Sequence, residues 1–240
     1  VDTCNSNIAI GSQAMITVDR GTNGSATVNG NIAIGYNALA GGDFVSADKD
    51  LVGNIAIGKN ALDATAANAQ TGTIAIGHEA LTALTSGDKN TAIGYEAMKA
   101  HTTGGSNVAI GYQAMLKANH ADADANVIIG SEAGTELLNG YYNVLLGWKA
   151  GDTITSGGEN TIIGFNCDVA SGDNTNNIII GNNLTASDND NRVYIGNDSS
   201  YIYNDFNSNA TWTHSSDERQ KKEIKDDTLG LDFINDIRPV

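Results

Sequence analysis

A strand-like triplet followed by glycine recurs eleven times along this 240-residue chain, ending at Gly11, Gly35, Gly58, Gly77, Gly94, Gly111, Gly130, Gly147, Gly164, Gly181 and Gly196. The successive spacings are 24, 23, 19, 17, 17, 19, 17, 17, 17 and 15 residues. A unit this short cannot bury an apolar face by itself. It becomes stable by stacking on its neighbours, which makes each unit one coil of a solenoid and sends length variation into loops. The 28 glycines and single proline fit that frame, because 40% hydrophobic content is too rich for a disordered linker. The glycine after each triplet suits positive φ or a sharp corner. The expected fold class is therefore all-β, a parallel β-solenoid (β-roll), with eleven coils about 4.8 Å apart forming a rod on the order of 50 Å long.

Side chains alternate along a strand, so in Asn107-Val108-Ala109-Ile110-Gly111 the first and third apolar positions face one way and the middle one faces the other. Both faces are apolar. The expectation is that Ile8, Ile34, Ile57, Ile76, Ile93 and Ile110 stack inside the coil. The row Ala9, Ala33, Ala56, Ala75, Ala92 and Ala109 would then face outward, and a small-residue row of that kind suits close packing against copies of the same chain about an axis. From Ile128 onward the middle position carries Leu145, Ile162, Ile179 and Tyr194. At the same place the pairs Ala38-Leu39, Ala61-Leu62, Ala80-Leu81, Ala97-Met98 and Ala114-Met115 give way to Ala133-Gly134 and Ala150-Gly151. The solenoid thus divides into sub-blocks 1–120 and 121–198.

Asn7, Asn31, Asn54, Asn90, Asn107, Asn126, Asn143, Asn160 and Asn177 recur at the approach to the strand. Stacked Asn side chains satisfy one another and the turn backbone, a scaffolding role. The segment after each glycine has good helix formers, as in Tyr95-Glu96-Ala97-Met98, but is so short that a second short strand or an irregular return is expected.

The net charge of -15, with no basic cluster before Arg219, excludes a phosphate-binding footprint and disfavours anionic membrane surfaces. No apolar run reaches the roughly 18 residues of a spanning helix, so membrane insertion is not expected, and Val1 does not open a signal peptide. Cys4 and Cys167 read as small buried residues. His78, His101, His120 and His214 lack ligand spacing, and Asp188-Asn189-Asp190-Asn191 reads as a polar turn without the glycine and distal glutamate of a calcium loop. Neither a metal nor a cofactor is expected.

The repeat Ser106-Asn107-Val108-Ala109-Ile110-Gly111 resembles the head repeat of trimeric autotransporter adhesins, which form left-handed parallel β-rolls in homotrimers. The longer unit Asn90-Thr91-Ala92-Ile93-Gly94-Tyr95-Glu96-Ala97-Met98 is similar to repeats of phage tail fibres and tailspikes that precede a C-terminal chaperone. The resemblance covers roughly residues 1–198. Residues 199–214 read as an aromatic capping connector with Tyr201, Tyr203, Phe206 and Trp212. Residues 215–240 resemble the beginning of the intramolecular chaperone domain of phage endosialidases, tailspikes and fibres, with a short helical segment marked by Leu231, Ile234 and Ile237. The family pattern is met by Ser216, Asp217, Arg219 and Lys221. It implies a single-turnover autoproteolysis in which Ser216 is the nucleophile and Lys221 its general base, after assembly. A desolvated lysine can lose its proton and activate a serine hydroxyl, so the chemistry is sound.

These resemblances imply a non-enzymatic, receptor-binding rod on the virion tail. Its partners would be two sister chains, other tail proteins, and a host cell-surface glycan or outer-membrane receptor. A bacterial surface adhesin head shares the repeat but should continue into a coiled-coil stalk, and heptads are absent from 199–240. A glycan depolymerase needs two carboxylates at fixed separation. Asp43, Asp48, Asp50, Asp122 and Asp124 are available for that, yet no pair stands out in the sequence.

Overall fold

A computed structural model describes residues 4–16, 27–41, 50–65, 69–207 and 213–214. In chain order the strands are β1 (Cys4–Asn5), β2 (Ile8–Ile10), β3 (Val28–Asn29), β4 (Ile32–Ile34), β5 (Leu51–Val52), β6 (Ile55–Ile57), β7 (Gln70–Thr71) and β8 (Ile74–Ile76). They continue as β9 (Thr91–Ile93), β10 (Val108–Ile110), β11 (Val127–Ile129), β12 (Val144–Leu146), β13 (Thr161–Phe165), β14 (Ile178–Asn182), β15 (Arg192–Asn197), β16 (Ser200–Asp205) and β17 (Thr213–His214). Among the described residues there is no helix, and the fold is an all-β parallel solenoid. The sequence-based helical segment at 215–240 lies outside the described residues.

Every glycine-terminated triplet contributes one strand to a single sheet in which β2, β4, β6 and β8 through β15 pair in parallel. The register places like on like: Ala92 opposite Ala109, Ile93 opposite Ile110. In the first four coils a second, four-stranded parallel sheet (β1, β3, β5, β7) precedes the main strand. The stack ends differently. Strands β15 and β16 form an antiparallel hairpin, and β17 adds to its far side. An antiparallel strand laid on the last rung covers an edge that would otherwise template further pairing. Tyr201 and Tyr203 of β16 pack near the Tyr194 ring, each at a centroid distance of 5.8 Å.

The inside of the coil is the reverse of what alternation alone suggests. Ala33, Ala56, Ala75, Ala92 and Ala109 are completely buried within one chain, as are Ile128, Leu145, Ile162 and Ile179 further along. The flanking positions Ile34, Ile57, Ile76, Ile93 and Ile110 point outward and are partly exposed. A coil of 17 residues has a narrow interior, and the return segment already delivers a large side chain to it. Leu39, Leu62, Leu81, Met98 and Met115 are all fully buried, and each adopts positive φ between 48° and 54°. Left-handed backbone costs an L-residue about 1–2 kcal/mol. Here it turns the amide toward the next coil, as in Met98 N donating to Ala114 O at 3.0 Å, while the side chain enters the core. The return is thus irregular and not helical.

The shift in composition after residue 120 follows from the same interior. Where the strand brings Ile128 or Leu145, the return supplies Gly134 or Gly151. A Cβ on Gly134 would lie 3.0 Å from both Ile128 Cδ1 and Leu145 Cδ1. Bulk moves from one wall of the coil to the other while the packed volume is kept. The sheet runs through this change without a break.

The asparagine ladder forms as expected. Asn126 Oδ1 accepts from Asn143 N at 3.0 Å and from Asn143 Nδ2 at 3.1 Å, the pattern repeats with Asn107 and Asn143, and Asn160 Oδ1 accepts from Asn177 N. Each Nδ2 also ties the loop, as in Asn126 Nδ2 donating to Gly140 O at 3.0 Å. Thr73 replaces asparagine in one coil, and its hydroxyl is buried without a partner there.

Candidate functional site

Stacking in register turns each coil position into a line along the rod, and three of those lines are chemically distinctive. The first is the outward aliphatic row. It comprises the first and third residues of the glycine-terminated triplets, from Ile8 and Ile10 through Val127, Val144, Leu146 and Ile180 to Ile195, with Leu146 42% and Ile195 38% exposed; Thr91 and Thr161 interrupt it and Val193 is buried. No charged residue interrupts it on the strands from β2 to β14.

The second line follows the corner glycines and carries rings. His78 stacks on Tyr95 at 5.1 Å and Tyr95 on Tyr112 at 5.5 Å, nearly parallel. Trp148 stacks on Phe165 at 4.8 Å, with Lys149 Nζ 5.0 Å from the centre of the Trp148 ring. Beside the first stack, Lys99 Nζ lies 2.7 Å from both Glu79 Oε2 and Glu96 Oε1. Hydrogen bonds to Lys99 hold both glutamates below their ordinary pKa, and the lysine is correspondingly pushed up.

The third line is the loop edge. There Ala121, Asp122 and Asp124 of one coil, Asn139, Tyr141 and Tyr142 of the next, and Ser156 of a third line a cavity of about 390 Å³. Asp122 and Asp124, which sequence reasoning left unpaired with anything, meet two tyrosines here. The available signal was coil position: Asp124 and Tyr141 lie 17 residues apart, one coil of the local repeat.

The residues singled out for autoproteolysis, Ser216 and Lys221, lie outside the described residues, as do Asp217, Arg219 and Trp212. Asp43 and Asp48 do as well, while Asp50 caps a loop by accepting from Thr27 N at 2.9 Å. Cys167 is a buried free thiol in the coil position that alanine fills elsewhere, and burial pushes its pKa up. The side chain of Cys4 is outside the description. His101 is buried with Nε2 2.9 Å from Gly104 O, and desolvation lowers its pKa, as suits a neutral structural ring.

One carboxyl stands apart. Asp168 sits at the coil position next to Cys167 and is buried, with Oδ2 accepting from Thr153 N at 3.0 Å and Oδ1 from Val169 N at 2.8 Å. Burial and a hydrogen bond to Asp152 push its pKa up to about 7. Among the described residues no group of three or more His, Cys, Asp or Glu side chains is placed to hold a metal ion, and no helix is long and apolar enough to cross a membrane.

No family model matches the chain, and no curated protein or solved structure matches it either.

Proposed function

We propose that this chain is a structural, receptor-binding segment of a phage tail fibre or tailspike, a homotrimeric rod displayed on the outside of the virion. The observation that carries the proposal is the outward aliphatic row, which repeats at each rung and faces solvent in a single chain. At about 40% exposure, covering each such Val, Leu or Ile recovers roughly 0.6–1.2 kcal/mol. Thr91 and Thr161 are not aliphatic and Val193 is buried, and most of the other positions are less exposed than this, so the sum is on the order of 10 kcal/mol per subunit, an upper bound comparable with the cost of association, about 4–15 kcal/mol. A row that is aliphatic at nearly every rung matches itself best in parallel and in register, which is what association about one axis provides. Three copies, in place of two, follow from the resemblance of the repeat to trimeric adhesin heads. The interface proposed is therefore the isoleucine row, not the alanine row.

The tail of the chain supports the phage setting through the chaperone-like stretch from Ser216. In that reading Lys221 deprotonates the Ser216 hydroxyl, which attacks the carbonyl of Ser215; the amide becomes an ester on Ser216 Oγ as the Ser216 amine takes up a proton, and water then hydrolyses that ester, leaving a carboxylate on Ser215 and a free hydroxyl on Ser216. The rod stays behind.

Mass measurement under native and denaturing conditions tests both parts. The expected result is a trimer, converted to monomer by Ile110→Asp combined with Ile129→Asp, and a subunit shortened beside Ser216 when the longer chain carries its chaperone. A folded, solitary wild-type monomer refutes the assembly. An uncut chain whose mass is the same for Ser216→Ala refutes the cleavage.

A further inference from the structure

The coil between Gly111 and Gly130 is 19 residues long, whereas its neighbours on both sides are 17. The surplus falls in the loop that carries Ala121 and Asp122, and it raises one wall of the 390 Å³ cavity at the loop edge. The floor comes from the next coil, which departs from the rest of the stack in a second way. At the position before the ladder asparagine, other coils place Ser106, Ala125, Glu159 or Asn176, all at positive φ. This coil places Tyr142 there, at φ 54°, and Tyr141 immediately before it. The two rings meet edge to face at 5.5 Å.

Room has been left for them. A Cβ on Gly158 would lie 2.8 Å from Cζ of Tyr141, so glycine in the following coil is what lets that ring lie flat along the edge. Tyr142 is 60% exposed. Among the described residues, none hydrogen-bonds the side chains of Asn139, Tyr141, Tyr142 or Ser156. Asp124 is held by Gly105 N at 2.9 Å, while the Asp122 carboxylate is exposed on its loop, with Oδ2 3.3 Å from His120 Nδ1. The cavity therefore presents one fixed and one exposed carboxylate acceptor, an amide, hydroxyls that both donate and accept, and two aromatic surfaces.

We infer that this cavity is a glycan subsite that takes an uncharged sugar. Aromatic rings offer flat apolar surface to the C–H face of a pyranose, and carboxylates beside an amide accept and donate to its vicinal hydroxyls, the mixture of a few convergent polar groups on an apolar base that small-ligand sites use. The volume lies in the ordinary range for such sites, roughly 300–1,000 Å³. Two aspartates in a chain of charge -15 select against sialylated, sulfated or uronic sugars, since like charge would be brought together. The inference deepens the receptor-binding proposal and rests on it.

The test is binding of the purified full chain to an array holding neutral hexose and N-acetylhexosamine oligosaccharides beside sialylated, sulfated and uronic ones. Binding to neutral members is expected, weakened about tenfold in Tyr142→Ala, which corresponds to one ring contact, and comparably in Asp122→Asn. Both positions are exposed, and the native mass of each variant reports whether the rod has formed. Binding to no member, binding confined to anionic members, or neutral binding unchanged in both variants overturns the subsite. If the native mass is trimeric and the intact rod still adsorbs to cells in those last cases, the fibre reading stands while the subsite falls.

Discussion

Gly111 sits at a corner where the next coil passes directly over it, and replacing it with alanine tests the rung geometry most sharply. An added Cβ would lie 2.6 Å from the carbonyl carbon of Gly130, closer still to its oxygen, and 3.0 Å from Ser131 N. Ordinary carbon–oxygen contacts begin near about 3.3 Å, so the two rungs must part by roughly 1 Å at this point. Gly130 N donating to Ile110 O at 2.8 Å and Glu132 N donating to Tyr112 O at 2.8 Å flank the clash and would both be stretched out of range. Losing two such bonds costs about 1–3 kcal/mol. The φ of 139° adds about 1–2 kcal/mol for an L-residue, while loss of unfolded-state freedom returns about 0.4–1 kcal/mol. The net is about 3 kcal/mol, or a fall in Tm of roughly 6–12 °C for a chain of this size. Gly72→Ala is the matched control. Gly72 has φ 65° and nothing within 4 Å of its added Cβ, so the two small backbone effects nearly cancel and the expected loss is about 1 kcal/mol or less. Thermal unfolding followed by circular dichroism, with guanidinium midpoints alongside, compares the two. Equal shifts for Gly111→Ala and Gly72→Ala would show that the corner glycines are not chosen for close approach between coils.

The exchange of bulk between strand and return predicts strong coupling in a double-mutant cycle. Ala109→Ile alone should destabilise by about 1–3 kcal/mol through overpacking, and Met115→Gly alone by about 2–4 kcal/mol through a cavity, while the pair recreates the arrangement of Ile128 with Gly134 and should recover at least about 1–2 kcal/mol of the sum. Urea denaturation measures it, and strict additivity contradicts the shared interior. Asp168 predicts a pH dependence. Its folded pKa of about 7 is above the ordinary 3.8, so between those values the folded chain keeps a proton that the unfolded chain releases, and stability falls as pH rises through the window. The loss is at most about 4 kcal/mol, and Asp168→Asn should flatten the slope and raise stability at pH 8. Denaturant midpoints at pH 5 and 8 decide this, and an unchanged slope in the variant would remove Asp168 as its source.

How much could be read from the chain alone depended on whether a residue's role is set within its own coil or by what stacks against it. The eleven strands, the positive-φ corners at positions such as Gly111, and the ladder from Asn107 to Asn177 were legible because each is a local requirement repeated at a fixed interval, so translation along the rod brings like to like. Which side of the strand faces inward was not. Alternation separates two faces, and when Ala109 and Ile110 are both apolar the period of two carries no sign. The return settled it: Met115, turned inward by left-handed backbone, fills the narrow coil and leaves space for a methyl group but not for a second large side chain, so the isoleucines go out. The cavity was hidden for a related reason. Asp122, Tyr142 and Ser156 are distant in sequence, and only the winding of three coils, one of them two residues longer than its neighbours, brings their side chains around a common space.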